Sequence, residues 1–133
     1  MAYSSMRNII QVDDDPSQNL LCSVVVRRVL PEANFRSFLI PEEALNYIVK
    51  EFDKMEINHL TTIFLDINMP SMSGWEFLEE FEKFPEHIQK QFTVHMLSSS
   101  VDVTDREKAS SNRFVASYIS KPLRQEMLRK LVA

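Results

Sequence analysis

Short apolar runs alternate with segments of helical periodicity along the whole chain. Five runs have the length and the β-branched or aromatic character of strands, and they lie at residues 8–12, 34–40, 63–65, 92–97 and 115–119. A helical segment follows each run, and the predicted helices begin near residues 16, 41, 74, 104 and 122. Strands that alternate with helices in this way form a parallel, doubly wound sheet. The pattern therefore predicts an α/β fold with three layers, in which helices cover both faces of a five-stranded parallel sheet.

Local signals at the helix starts support this division. Ser73 with Glu76, and Thr104 with Glu107, have the spacing of a capping box and are expected to open the third and fourth helices. The first helix is expected to bury the apolar positions of its helical repeat, which are Leu20, Leu21, Val24, Val25 and Val29.

Length and composition indicate one globular domain. The chain has 133 residues, of which 44% are hydrophobic and 26% charged, so it can bury a core of ordinary size. No linker, repeat or low-complexity segment interrupts the alternation. We expect a single domain over residues 1–133, with its core between about residues 8 and 131 and no attached output domain.

Charge, glycine content and hydropathy exclude several functional classes. Nineteen acidic residues against fifteen basic ones give a net charge of −4, so the basic footprint of a nucleic-acid-binding protein is missing. Gly74 is the one glycine, which excludes glycine-rich phosphate loops. The sequence has neither an apolar run of about 18 residues nor a signal-like N-terminus, and its one cysteine, Cys22, fits a reducing compartment. We therefore expect a cytoplasmic protein that does not insert into a membrane.

Charged and hydroxyl side chains follow four of the predicted strands. The residues in question are Asp13, Asp14, Asp66, Ser98 and Lys121. Since the carboxyl ends of parallel strands meet at one edge of the sheet, these side chains can converge there. Carboxylates brought together repel each other unless a cation or a proton joins them, and Mg²⁺ is the expected cation for such oxygen ligands. A lysine and a hydroxyl at the same edge suit phosphoryl oxygens.

Other interpretations of the segment around Asp66 are weaker. An aspartate at the end of a strand is often only the start of a turn. A calcium-binding EF-hand loop that began at Asp66 would need a glycine at Ser71 and a glutamate at Phe77. Phosphatases of the haloacid-dehalogenase type have a second aspartate two residues after the first, but here Asn68 stands at that position and cannot transfer a proton.

The ordered set of motifs resembles the receiver domain of two-component response regulators. The resemblance rests on the acidic residues after the first strand, residues 65–70 (LDINMP) with Gly74 after the third, the hydroxyl of Ser98 after the fourth, and residues 121–122 (KP) after the fifth. It extends from about residue 9 to residue 131. It implies a flavodoxin-like sheet with the strand order 2-1-3-4-5.

The resemblance assigns roles to individual residues. It implies that Asp66 is the phosphoacceptor, and that Asp13, Asp14, Asp66 and the backbone carbonyl of Asn68 hold Mg²⁺. Because three acids are consecutive, the metal-binding pair could instead be Asp14 and Asp15; the length of the preceding strand favours Asp13 and Asp14.

Three further roles follow from the same resemblance. Lys121 would pair with the phosphoryl group, and its peptide bond to Pro122 would be cis. Ser98 occupies the position of the switch hydroxyl, where most receiver domains have threonine, and Tyr118 that of the switch aromatic residue.

The resemblance also implies partners. A sensor histidine kinase or a phosphotransfer protein would phosphorylate Asp66, and the phosphorylated domain would act on a downstream protein, as a monomer or a weak dimer. It would be a switch and not a turnover enzyme. The alternatives are a pseudo-receiver that binds a partner without phosphorylation, a flavodoxin-like cofactor binder and a metal-dependent hydrolase. The intact acidic set argues against the first, and the lack of a phosphate-binding loop argues against the second.

Overall fold

The computed structural model describes residues 8–54, 61–99 and 102–132, and a parallel sheet of five strands forms its centre. The strands are β1 (Asn8–Val12), β2 (Asn34–Phe38), β3 (Thr61–Asp66), β4 (Phe92–Ser98) and β5 (Val115–Ser120). Their order in the sheet is β2-β1-β3-β4-β5, and every neighbouring pair is parallel. The predicted fold class and strand order are therefore confirmed.

The described residues also form six helices, one more than predicted. The helices are α1 (Pro16–Val29), α2 (Pro41–Phe52), α3 (Gly74–Phe81), α4 (Glu86–Gln89), α5 (Val103–Ser111) and α6 (Gln125–Val132). The additional helix, α4, is a single turn that follows Pro85 and buries Ile88 alone. A helix with one apolar anchor has no periodicity, which is why the sequence pattern did not reveal it.

The helix starts agree with the sequence signals at α1, α2 and α3 and differ at α5 and α6. Ser73 and Glu76 form the predicted capping box at α3. The predicted box at Thr104 is wrong, because α5 begins one residue earlier and the carboxylate of Asp102 accepts a hydrogen bond from Thr104 N. Helix α6 begins at Gln125 and not at Pro122, since Leu123 is still outside the helix and is buried in the core.

Two hydrophobic clusters cover the two faces of the sheet. One cluster joins β1, β3 and β4 to α2 and α3, and the other joins β1, β3, β4 and β5 to α1 and α6. In the first cluster the ring of Phe92 contacts two other aromatic rings. Its centroid lies 4.6 Å from that of Phe52 and 5.5 Å from that of Phe81. Both faces of the sheet are therefore packed, and its edge at the carboxyl ends is the place left for polar groups.

The predicted inner face of α1 is partly wrong. Leu20 and Leu21 are 65% and 48% exposed, whereas the polar residues Asn19 and Ser23 are buried with Cys22 and Val26. Each polar side chain donates to a backbone carbonyl: Asn19 Nδ2 to Asp13 O over 2.9 Å and Ser23 Oγ to Leu20 O over 2.7 Å. Asn19 Oδ1 is buried without a hydrogen-bond partner among the described residues. A polar side chain whose hydrogen bonds are made within the structure can be buried at small cost.

Candidate functional site

The strand register brings the predicted site residues to one edge of the sheet. Val12 pairs with Leu65, so the residues that follow them, Asp13 and Asp66, lie side by side at the ends of β1 and β3. Lys121 directly follows β5. Because all strands are parallel, Asp13 after β1, Asp66 at the end of β3 and Lys121 after β5 lie at the same end of the sheet.

Lys121 joins the two acids directly. Its Nζ lies 2.7 Å from Asp13 Oδ2 and 3.1 Å from Asp66 Oδ1. The three side chains are only 10%, 1% and 7% exposed, in the order Lys121, Asp13 and Asp66. These are buried ion pairs, in which Coulomb attraction is much stronger than on a wet surface. Together with Asp14, we call these residues the carboxylate corner.

Burial and charge perturb the pKa values in the carboxylate corner. Burial, and next the charge of Asp13, raise the pKa of Asp66 to about 6, although Lys121 acts in the opposite direction. Burial alone would lower the pKa of Lys121, but Asp13 and Asp66 outweigh it and hold that pKa above its ordinary value. A cation bound beside these acids would relieve the repulsion between Asp13 and Asp66 that contributes to this shift.

The acids also meet the requirements of a hard divalent cation. Asp13, Asp14 and Asp66 can each offer an oxygen such that all three lie within 4.8 Å of one another. All three donors are carboxylate oxygens, which Mg²⁺ prefers. Asp15 does not join them, because its Oδ1 accepts a hydrogen bond from Ser17 N over 2.9 Å and caps α1. The geometry favours the pair Asp13 and Asp14 over Asp14 and Asp15.

Backbone hydrogen bonds hold Asp13 in place. Its Oδ1 accepts from Asp15 N over 3.0 Å, and its backbone carbonyl accepts from the side chain of Asn19 over 2.9 Å. Asn19 was not recognised as part of the site from the sequence. A buried asparagine at an inner position of α1 was the available signal, but it becomes informative only once the inner face of the helix is known.

Gly74 lets the chain pass close to the backbone of Asp66. Gly74 N donates to Ile67 O over 2.8 Å, and a Cβ atom at this position would lie 2.6 Å from Asp66 O and 3.2 Å from Ile67 Cα. Both of these neighbours are backbone atoms, so they cannot rotate away as a flexible side chain would. Gly74 therefore sets how closely α3 approaches the loop after Asp66, which is a structural role that the sequence alone did not define.

The remaining predicted residues lie on β4, on β5 and in the loop after β3. Ser98 is buried at the end of β4, and its backbone carbonyl accepts from Lys121 N over 2.9 Å. The bond between Lys121 and Pro122 is cis, as the resemblance implied. Tyr118 is half-buried on β5, with the Arg106 guanidinium carbon 5.3 Å from its ring centroid. Asn68 is exposed in the loop between β3 and α3.

The chain has three histidines, His59, His87 and His95. His95 is buried in β4, where its Nδ1 lies 2.6 Å from Ser117 Oγ, and desolvation lowers its pKa. His87 is exposed and its Nε2 lies 2.8 Å from Asp53 Oδ1. His59 lies outside the described residues. Neither described histidine is near the carboxylate corner.

Comparison with known proteins extends the likeness beyond the site. The chain is 27% identical over 122 residues to the cyclic di-GMP phosphodiesterase response regulator RpfG of Xanthomonas campestris pv. campestris (strain 8004), a match that covers 92% of this chain and 30% of the relative. Since the chain spans less than a third of that relative, the likeness concerns one part of it.

Solved structures show the same fold. A response regulator receiver protein from Dyadobacter fermentans matches with a TM-score of 0.83 and 26% identity, over 95% of this chain and 94% of that chain. A two-component response regulator from Cytophaga hutchinsonii matches with a TM-score of 0.81 and 28% identity, over 95% and 93%.

The described helices do not include one that could cross a membrane. Response regulator receiver domains are phosphoacceptor switches that bind Mg²⁺ at an acidic pocket and interact with histidine kinases or phosphotransfer proteins. The model of the family "Response regulator receiver domain" matches residues 9–133, which is almost the whole chain. The chain therefore belongs to the response regulator receiver domain family of two-component signal transduction.

Proposed function

We propose that Asp66 accepts a phosphoryl group from a sensor histidine kinase or a phosphotransfer protein. The observation that supports Asp66 over Asp13 as the phosphoacceptor is the set of partners that their carboxylate oxygens already have. Both carboxylate oxygens of Asp13 are occupied, one by Asp15 N and one by Lys121 Nζ. Among the described residues, Asp66 makes its ion pair with Lys121 through Oδ1, which leaves Oδ2 for attack on phosphorus. A nucleophile needs such an oxygen lone pair.

In the proposed step, an oxygen of Asp66 forms a bond to phosphorus while the bond from phosphorus to the donor histidine breaks. The donor nitrogen keeps the electron pair of that bond and takes up a proton. Lys121 already lies at hydrogen-bond distance from Asp66, so its Nζ can donate to a phosphoryl oxygen without a large movement. Asp13 keeps that ammonium group charged and in position. Ser98 supplies a hydroxyl at the neighbouring strand end.

The carboxylate corner fits Mg²⁺, and the residues that would hold it are Asp13, Asp14, Asp66 and the backbone carbonyl of Asn68. When bound, the ion would supply the positive charge that offsets the transferring phosphoryl group. The close approach of three carboxylate oxygens supports this part of the proposal. The charge of Asp13 is, after burial, the second cause of the raised pKa of Asp66, and a cation would offset that repulsion.

The signal would pass to the surface formed by α5, β5 and α6. Phosphorylation adds about −1.5 to −2 charges at neutral pH. Ser98 would follow a phosphoryl oxygen and Tyr118 would turn inward, away from Arg106, so that the population of binding-competent states changes. A downstream protein would bind the altered surface. The acyl phosphate would then hydrolyse slowly, so the domain acts as a timed switch, and we propose that it does so as a monomer or a weak dimer.

The test is intact mass after incubation with acetyl phosphate, with and without Mg²⁺. The parent protein is expected to gain one phosphoryl group when Mg²⁺ is present, and Asp66→Asn is expected to gain none. Asp15→Asn is the matched control, because asparagine caps a helix as well as aspartate does and Asp15 lies outside the carboxylate cluster. It should be phosphorylated like the parent.

Two results would overturn the proposal. Equal phosphorylation of the parent and of Asp66→Asn would place the phosphoryl group elsewhere. No phosphorylation of a folded parent protein, with acetyl phosphate or with any histidine kinase tried, would favour a receiver fold that recognises its partner without phosphate. Circular dichroism of each variant shows whether the fold is intact.

A further inference from the structure

A groove of about 260 Å³ runs between α2 and α3, on the sheet face that those two helices cover. Leu45 and Val49 of α2 line one side of it, and Met72 and Phe84, which precede and follow α3, line the other. Val49 is 38% exposed, although valine is usually buried in a helix of this kind. The groove therefore offers apolar surface to a partner at its centre.

The floor of the groove belongs to the core and is not a loose surface feature. Leu45 is buried in the cluster below α2, and Met72 and Phe84 pack against the same cluster while part of each side chain reaches solvent. An apolar side chain that entered the groove would contact residues that the fold already holds in place. Preformed apolar pockets of this kind are where binding energy concentrates.

The rim of the groove is acidic. Glu42 lies at one end and Glu80 on the α3 side. Glu42 Oε1 accepts a hydrogen bond from Ser71 Oγ over 3.0 Å, which fixes one carboxylate of the rim. Glu80 lies 2.8 Å from Lys83, but both side chains are largely in solvent, where such a pair contributes little.

The two helices beside the groove carry most of the net negative charge of the protein. Residues 41–52 and 74–84 carry seven glutamates and two lysines, an excess of five negative charges, whereas the whole chain has a net charge of −4. The negative charge of the protein is therefore concentrated on the two helices that form the groove. A field of one sign around an apolar cleft attracts a partner of the opposite sign.

We propose that the groove between α2 and α3 binds an amphipathic helix of a partner protein, whose apolar stripe is flanked by lysine and arginine. Two neighbouring helices present a groove that takes the ridge of a third helix, and the lining residues of α2, from Glu42 to Val49, give it a length of about 11 Å. That length suits about two turns of a partner helix, which can place two apolar side chains along it.

This surface is distinct from the one used in the proposed phosphorylation switch. Its lining residues come from α2, α3 and the segments next to α3, and none of them belongs to α5, β5 or α6. Binding in the groove does not require a phosphorylated Asp66. The test can therefore use the unphosphorylated protein, and its failure would leave the phosphoacceptor proposal untouched.

The probes are two synthetic helical peptides that share one leucine stripe at positions i, i+3, i+4 and i+7. One peptide has lysine beside the stripe and the other has glutamate. Both are titrated into the ¹⁵N-labelled full chain at moderate salt, and the backbone amide signals are followed. The lysine peptide is expected to shift amides of α2 and α3, and the glutamate peptide is expected to bind at least tenfold more weakly.

Matched variants separate the groove from general attraction to an acidic surface. Val49→Glu adds an acid but places it on the apolar side of the groove that α2 forms, so it should weaken binding of the lysine peptide about tenfold or more. Val103→Glu makes the same substitution at an exposed valine of α5 and should leave the affinity within about twofold, since Val103 does not line the groove.

Four results would overturn the proposal. The first is equal affinity for both peptides, the second is binding by Val49→Glu as tight as by the parent, and the third is a set of shifts that lies outside α2 and α3. A stronger affinity of Val49→Glu would also contradict it, because it would mean that charge alone drives binding. The amide spectrum of each free variant reports whether it has folded.

Discussion

The carboxylate corner and the pair formed by α5 and β5 are built in opposite ways. In the corner, three charged side chains are almost fully buried and joined by two ion pairs, and the backbone around Asp13 and Gly74 is held by hydrogen bonds. Helix α5 buries only Ala109 among its nine residues, and β5 buries only Ile119. The register between β4 and β5 also shifts between Val94 and His95. Thus a group of buried ion pairs lies beside a helix and a strand that bury few side chains.

This difference suits a domain in which a local event changes a distant surface. Elements with few buried apolar contacts open or shift at low free-energy cost, and they are the ones that move in switching proteins. Two described contacts tie α5 to Trp75 of α3. The indole Nε1 of Trp75 donates to Asp105 Oδ1 over 3.0 Å, and Lys108 Nζ lies 5.9 Å from the centroid of the Trp75 ring. Since α3 begins at the loop that follows Asp66, this hydrogen bond is a direct link between the two regions.

Removal of the lysine should have the largest effect on stability. Lys121→Met keeps the length of the side chain but leaves Asp13 and Asp66 buried without their cation, so the free energy of unfolding should fall by about 3–5 kcal/mol near neutral pH. Urea unfolding measures this change. The loss should shrink in acid, because Asp66, whose pKa burial raises to about 6, then becomes protonated. Lys50→Met, at an exposed position of α2, is the control and should change stability by less than about 0.5 kcal/mol. Equal effects of the two substitutions would contradict the account.

Substitution of the glycine should come next. Gly74→Ala places a Cβ atom against Asp66 O and Ile67 Cα, and these backbone atoms must shift to make room. We expect a loss of about 1–3 kcal/mol in the free energy of unfolding, despite the better helix propensity of alanine, together with slower phosphorylation by acetyl phosphate. Urea unfolding and intact mass measure the two effects. A variant as stable and as reactive as the parent would show that the close approach of α3 has no role.

In acid, the buried side chain of His95 should lower the free energy of unfolding. Burial lowers the pKa of His95 in the folded state below its ordinary value of about 6.5. Below pH ~6.5 the unfolded chain therefore binds a proton that the folded protein excludes until the pH is lower still, so His95 destabilises the fold as the pH falls. The slope from one proton is at most about 1.4 kcal/mol per pH unit.

The histidine prediction is measured by urea unfolding between about pH 5 and pH 7.5, the range in which histidine titrates. His95→Gln retains a polar side chain for Ser117 but cannot titrate, so its stability should fall less in acid than that of the parent. The same acid dependence in parent and His95→Gln would assign the effect to other groups.

Release of α5 should have the smallest effect on global stability. Asp105→Ala removes the acceptor of the Trp75 indole N–H, and because Trp75 is partly exposed, water can replace the lost partner. We expect a loss of about 0.5–1.5 kcal/mol. Amide exchange in α5 should become faster and the emission of Trp75, the one tryptophan, should shift. Glu107→Ala on the same helix is the control. No change of exchange in α5 would mean that the hydrogen bond does not restrain the helix.

The carboxylate corner was predictable because topology alone assembles it. Asp13, Asp66 and Lys121 each directly follow an apolar run, and parallel strands bring their carboxyl ends to one edge whatever the details of packing. The strand order, in contrast, was predicted from the resemblance to receiver domains. The proposed roles of these residues in phosphorylation remain predictions.

Features that depend on side-chain hydrogen bonds were not predictable from the pattern. The inner face of α1 includes Asn19 and Ser23, each of which donates to a backbone carbonyl, and Leu20 and Leu21 lie at the surface instead. Similarly, the cap of α5 is Asp102, whose carboxylate competes with the capping box suggested by Thr104 and Glu107. In each case a polar contact, invisible in the spacing of apolar residues, decided the local structure.

The most direct test of the central claim locates the phosphoryl group by chemistry. The parent protein is phosphorylated with acetyl phosphate and Mg²⁺ and then reduced with borohydride, which converts an aspartyl phosphate into homoserine. Peptide sequencing by tandem mass spectrometry then identifies the converted residue. The account predicts homoserine at position 66 and at no other aspartate. Homoserine at position 13 or 14, or phosphate retained on a serine or histidine with position 66 unchanged, would contradict it.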